Sequence, residues 1–286
     1  WMRGIYGVLP TLDVDEVIAV VRGDCSQTQA LMEVLQMEGT PVYPFAYPYD
    51  RSLQAIGLEI GKLREHFGVR AEEVEEAKGR LDRIRRKLNR LDVLTWRDGL
   101  VSGGENHRFL VASSDMKGDP WAFECEVDAF LDEVRQRAPH PRGEEIRLGY
   151  LGVPPIWQDL YEKVERPGVR IVFNEIQRQF SMPYLAPSVE EQYLRFTYPY
   201  EVFFRLEDIQ RESVRRGLDG FIHYAQTFCF HQIEDKILRH HLAAPVLTLE
   251  GDRPEPLDAR TETRIEAFLE MLHRDRGMSA ATGDGN

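Results

Sequence analysis

FIHYAQTFCFHQIEDKILRHHLAAPVLTLE, residues Phe221–Glu250, decides the reading of the fold. It divides into a buried strand (221–225), a turn carrying Cys229, a helix (231–242) and a second strand (246–250). A thiol between the carboxyl end of a strand and the start of a helix sits at the rim of an open α/β sheet, where ligands bind. The positive end of a helix favours a thiolate over a thiol there. A cysteine in such a turn also has a plain structural reading, as a small buried hydrophobe.

A second copy lies near the amino end. Residues Val17–Tyr47, VIAVVRGDCSQTQALMEVLQMEGTPVYPFAY, repeat the order strand, cysteine turn, helix, proline-led strand. Cys25 and Cys229 are 204 positions apart, and so are Pro41 and Pro245, which open the following strands. The helix between cysteine and proline therefore has one length in both copies. Duplication of a unit places equivalent atoms around a pseudo-twofold axis, so the two cysteines are expected to face one inter-domain cleft. The competing reading is that two βαβ units of ordinary size align this well by chance.

The rest of the chain fits an α/β protein of two domains. Its 286 residues are enough for two cores. The net charge of −12 argues against nucleic acid and anionic membranes as partners. No apolar run reaches the length of a membrane span, and no signal peptide is expected from these residues. Three cysteines are too few for a disulfide scaffold, which suggests a reducing, cytoplasmic setting. Apolar residues at helical spacing predict two helices over 53–91 with a break near 67–70. The charge run 80–87 reads as a solvated helix face.

A loop at 101–114 enters a short helix, and Asp119–Pro120 caps and opens a helix over 121–137. Cys125 falls inside that helix among Phe123, Val127 and Phe130 and reads as a packed core residue. Residues 139–143 read as a linker. The expected division is thus a first domain of 1–140, a second of 144–276 and a disordered tail of 277–286. The second half alternates strand (146–151), helix (157–165) and strand (169–173), which is the grammar of parallel strands. The polar stretch 174–183 follows a strand end, and Pro199 divides a helical region over 188–216. Asp252 or Asp258 is expected to cap a terminal helix over 258–272.

Two chemistries are open to the cysteines. Each could serve as a nucleophile with a histidine base, His231 or His223 beside Cys229, at spacings diagnostic of neither. Alternatively they ligate a metal centre. No C-x-x-C occurs, which disfavours a zinc knuckle, whereas widely spaced single cysteines suit an iron–sulfur cluster. Two thiolates alone do not hold a cubane, so a further ligand is required.

Ten segments now resemble a known family. They are RGDCSQTQALMEVL (22–35), PFAYPYD (44–50), LTW (94–96), GGENH (103–107), LGVPPIWQDLYE (151–162), FNEIQRQFSMP (173–183), TYPY (197–200), IHYAQTFCFHQIEDKIL (222–238), PVLTLEGD (245–252) and DARTETRIEAFLEML (258–272). Together they are similar to the 2-hydroxyacyl-CoA dehydratase D-component family, which also holds benzoyl-CoA reductase subunits and double-cubane cluster proteins. The resemblance implies two Rossmann-like domains with mostly parallel sheets flanked by helices and a [4Fe-4S] cluster in the cleft between them. Its second and third ligand cysteines fall on Cys25 and Cys229, and Cys125 matches no ligand position. The first is expected just before WMRGIYG, with which this chain begins, hence upstream of Trp1.

The resemblance further implies one-electron, ketyl-type elimination of water from an acyl-CoA. It implies an ATP-hydrolysing iron–sulfur activator as electron donor, and a homologous partner subunit or a second copy of the chain. Asp24, Ser26, His223 and Gln226 are the nearest residues to the thiolates, and Glu175, Gln177 and Arg178 are candidates for the substrate side. For each, a cap or a satisfied core polar group is the alternative role. A reductase of the benzoyl-CoA or double-cubane type, or a non-catalytic electron-transfer subunit, is the alternative function. A double cubane needs more thiolates than the chain supplies.

Overall fold

The computed structural model describes residues 2–23, 25, 27–140 and 145–283. Along the chain follow α1 (Met2–Val8), β1 (Val17–Arg22), α2 (Gln27–Met37), β2 (Val42–Ala46), α3 (Leu53–His66), α4 (Ala71–Trp96), α5 (Gly103–Ala112) and α6 (Pro120–Val134). Then come β3 (Ile146–Gly152), α7 (Leu160–Val164), β4 (Val169–Asn174), α8 (Glu175–Phe180), α9 (Val189–Arg195), α10 (Val202–Arg216), β5 (Gly220–Gln226), α11 (His231–His241), β6 (Val246–Gly251) and α12 (Ala259–Gly283). The protein is α/β, with parallel sheets of two and four strands flanked by helices. None of the described helices is long and apolar enough to cross a membrane.

The chain forms two compact units that are not consecutive halves. Unit 1 comprises residues 1–79 with 186–205, and unit 2 comprises 80–185 with 206–286. This differs from a division at 139–143, part of which lies outside the described residues. The first cut falls within the continuous helix α4, between Gly79 and Arg80, where no sequence signal for a linker exists.

Unit 1 is built on the parallel pair β1–β2. Phe45, Tyr47, Ile56 and Tyr200 form its core, with Val20, Ile60 and Tyr193 packed against them. Unit 2 is built on the order β4-β3-β5-β6, parallel throughout. Its inner strands, β3 and β5, are buried on both faces along nearly their whole length, as in sheets covered by helices on both sides. One face packs Ile146, Leu148, Tyr150, Ile222, Tyr224 and Leu249 against α7 and against Ile265, Phe268, Leu269 and Leu272 of α12. A separate helical core joins the second half of α4 to α5 and α6.

The sequence repeat is preserved down to hydrogen bonds. Val17 N–H donates to Pro41 O (3.0 Å), and 204 residues later Phe221 N–H donates to Pro245 O (2.8 Å). The strand registers Val17↔Val42 and Phe221↔Val246 carry the same offset. The intervening helices α2 and α11 have 11 residues each. The copies differ at one edge. The outer edge of β5 is taken by β3, whereas β1 has no second strand partner among the described residues. Ile18 is accordingly 49% exposed and its counterpart Ile222 wholly buried.

Three local expectations are corrected. Cys125 is exposed, because α6 buries Phe123, Val127, Phe130 and Val134 and a residue two positions from Phe123 points the opposite way. The helix expected over 157–165 is only α7, because the segment before it places Trp157 on the sheet. The Trp157 indole would lie 2.6 Å from any Cβ at Gly251 and packs edge-on against Tyr224. The terminal helix runs to Gly283, past the point where a disordered tail was expected, and 284–286 lie outside the described residues.

A buried ion network ties α4, α8 and α10 of unit 2 together. Arg216, whose side chain is wholly buried, donates to both Asp92 oxygens (2.9 and 2.6 Å), to Glu212 (2.8 Å) and to Val172 O (2.7 Å). Arg178 donates to Asp208 (2.9 Å) and Glu212 (3.4 Å). Burial pushes the Asp92 and Glu212 carboxyls up, but the guanidiniums outweigh it and both end below their ordinary values.

Arg216→Met strands buried carboxylates and is expected to cost about 3–5 kcal/mol of unfolding free energy. Adding Asp92→Asn to it should cost less than the sum of the single effects in a urea-denaturation cycle. At the other end of the unit, Asp258 accepts the Thr261 N–H at 2.6 Å, so it is Asp258 that caps α12. That bond holds the Asp258 carboxyl below its ordinary value. Asp258→Ala should therefore lower the thermal midpoint at neutral pH. A group with a depressed folded pKa stabilises above its unfolded value, about 3.9, and loses that contribution as pH falls through the folded pKa. The gap between the two proteins should close in acid, and a gap independent of pH would count against the charged cap.

Candidate functional site

Each unit presents one cysteine turn. In unit 1 the chain leaves β1 through Gly23, at φ +97°. A Cβ on Gly23 would lie 2.7 Å from Pro199 Cβ, 2.8 Å from Pro199 O and 2.9 Å from the Tyr47 ring. Only glycine fits, so the TYPY segment seats the turn that carries Cys25. Cys25 is half-buried, and its carbonyl accepts the Thr28 N–H at 2.9 Å as α2 begins. Asp24 and Ser26 lie outside the described residues.

In unit 2 the chain leaves β5 through Thr227, whose N–H donates to Gly251 O (3.2 Å), and Phe228 follows at φ +65°. A positive φ on a bulky residue is costly and marks a conformation fixed by its surroundings. Cys229 N–H then donates to Gln226 O (2.9 Å), and Cys229 O accepts the Gln232 N–H (3.1 Å). This last bond is the 204-residue counterpart of the one at Cys25. Cys229 is half-buried. Burial pushes the neighbouring Tyr224 phenol up to about 12, with Cys229 among the groups acting on it, so Tyr224 stays neutral.

His223 and Gln226 share β5 with this turn. His223 is fully buried, with Nδ1 2.7 Å from Asp235 Oδ1. Thr248 Oγ1 (2.5 Å) and Arg239 Nε (2.7 Å) also donate to Asp235. Burial alone would raise the Asp235 carboxyl, but His223, Thr248 and Arg239 hold it well below the usual range. A carboxylate on Nδ1 fixes the ring tautomer, and Nε2 is buried with no hydrogen-bond partner among the described residues. The supporting residues were not anticipated. Asp235 and Arg239 do stand four apart on one helix, the spacing of a surface ion pair.

The polar stretch after β4 is buried. Glu175 accepts the Gly152 N–H (3.2 Å), and Gln177 Nε2 donates to Gly152 O (3.4 Å) at the carboxyl end of β3. Arg178 turns inward to Asp208 and Glu212, so its donors serve the ion network. The GGENH segment is a docking device. Glu165 accepts from Gly103 N–H (2.8 Å) and Gly104 N–H (3.0 Å), and a Cβ on Gly103 would lie 2.5 Å from Ile171 O.

In donor chemistry, each turn offers one half-buried thiol at a strand end, as a single widely spaced cluster ligand requires. Among the described residues, no three His, Cys, Asp or Glu side chains converge to hold a metal ion.

Comparison with known proteins gives one family. No curated protein matches the chain. The family model described as 2-hydroxyglutaryl-CoA dehydratase, D-component, matches residues 1–272, nearly the whole length. The chain therefore belongs to the 2-hydroxyglutaryl-CoA dehydratase D-component family.

Proposed function

We propose that the chain is an iron–sulfur subunit of a 2-hydroxyacyl-CoA dehydratase-like enzyme, with Cys25 and Cys229 as two thiolate ligands of a [4Fe-4S] cluster. The observation that supports this reading is the duplicated cysteine turn. Two units share strand register, helix length and the carbonyl bond at the cysteine, in a chain of the dehydratase family. When bound, such a cluster supplies one-electron reduction of an acyl thioester and a Lewis-acidic iron.

The chain's own residues have separable tasks. Gly23 and Phe228 fix the two turns, so that each thiol leaves its strand end in one direction. His223, anchored by Asp235, holds or releases a proton at Nε2 on the strand that leads to Cys229. Gln226 and Glu175 stand at strand ends of the same sheet and are the remaining polar candidates for the substrate side. The reading includes an ATP-hydrolysing iron–sulfur activator, a homologous partner subunit or second copy, and a cytoplasmic location that protects an oxygen-sensitive cluster.

Anaerobic reconstitution with iron and sulfide tests the ligand assignment. Cys25→Ala and Cys229→Ala should each lose most of the iron bound per chain, and Cys125→Ala, on the exposed face of α6, should keep it. Full iron in both single variants would make the thiols structural and remove the basis of the enzymatic reading.

A further inference from the structure

Unit 1 contains a recess of about 270 Å³ between α3, the start of α4 and α9. Its wall is apolar: Phe45, Ile60, Leu63, Val74, Val189 and Tyr193. None of these belongs to the cysteine turn. An apolar cavity of roughly 150 Å³ already admits benzene, so a ring or a short branched chain has room here. Arg64 is the charged side chain of the lining. It is half-buried, and its guanidinium has no hydrogen bond or ion pair to another described residue. A partly desolvated guanidinium against an apolar wall is stabilised by an anion that brings its own apolar body.

The anion's charge is limited by a neighbour. Glu75 accepts the Val189 N–H at 3.2 Å and so holds a negative charge at the same wall. A dianionic phosphate would face that carboxylate with a single arginine to offset it. A carboxylate carries one charge and matches the planar guanidinium in two parallel hydrogen bonds. We propose that this recess binds a small apolar carboxylic acid as its anion, with the apolar group against Phe45, Leu63 and Tyr193 and the carboxylate on Arg64. The site is independent of the cluster ligands and stands whether or not Cys25 and Cys229 hold iron.

Titration calorimetry with phenylacetate and its neutral isostere phenylacetamide tests the proposal on the full chain. Phenylacetate should bind about tenfold more tightly, the increment of a charge-assisted pair. Arg64→Gln should erase that preference while leaving the thermal midpoint unchanged, because its guanidinium has no hydrogen bond or ion pair among the described residues to lose. Glu75→Gln should tighten phenylacetate and leave phenylacetamide unaffected. Equal affinity for the two ligands, an unchanged preference in Arg64→Gln, or no binding of either at millimolar concentration each overturns it. The last outcome would leave the recess as an apolar surface for a protein partner.

Discussion

Arg216 never meets water, and much of unit 2 is arranged to make that possible. Its guanidinium is shared by Asp92 from α4, Glu212 one turn earlier on α10 and the carbonyl of Val172 in β4, with the Phe173 ring 5.0 Å away. Removing two charges from water costs several kcal/mol per ion, so such a group persists only when geometry satisfies every donor. The consequence is positional. The helical core of α4, α5 and α6 is tied to the strand that ends at Asn174 and to the helix that feeds β5. The strand ends that carry Glu175 and Cys229 thus inherit their places from a salt-bridge network that touches neither.

Much of the fold could be read before any coordinates, for a physical reason. The strand–helix alternation and the matched spacing of Cys25, Cys229, Pro41 and Pro245 are local properties, and parallel strands joined by a helix of fixed length leave little choice of register. Hence the two copies agree in opening register, in helix length and in the bond at each cysteine. The caps at Asp119 and Asp258 were equally legible, because an oxygen before a helix start satisfies amides that have no other partner.

What could not be read depends on tertiary choices. Arg178 follows a strand end in sequence, where polar residues commonly meet ligand, yet its donors are taken up by Asp208 and Glu212 inside the protein. Its partners lie tens of residues away, and no spacing rule connects them. Cys125 failed for the opposite reason. Its apolar neighbours in sequence are not its neighbours on the helix, since two positions turn the side chain by about 200°. The division inside α4 has only Gly79 to mark it, because a helix continues through it.

The bare edge of β1 carries a cost of its own. A strand with unsatisfied amides along one side is a template for any extended chain, and natural sheets usually blunt such edges with charge or cover. Here Asp13, Asp15 and Glu16 stand just before the strand and Arg22 ends it, whereas its exposed centre is Ile18. Like charges at that end of the strand repel a second copy of the same edge, most strongly at low ionic strength. Colloidal behaviour is therefore written into the same duplication that aligns the cysteines. The copy whose edge is covered by β3 offers a second chain no such template, whereas the copy whose edge has no second strand among the described residues does.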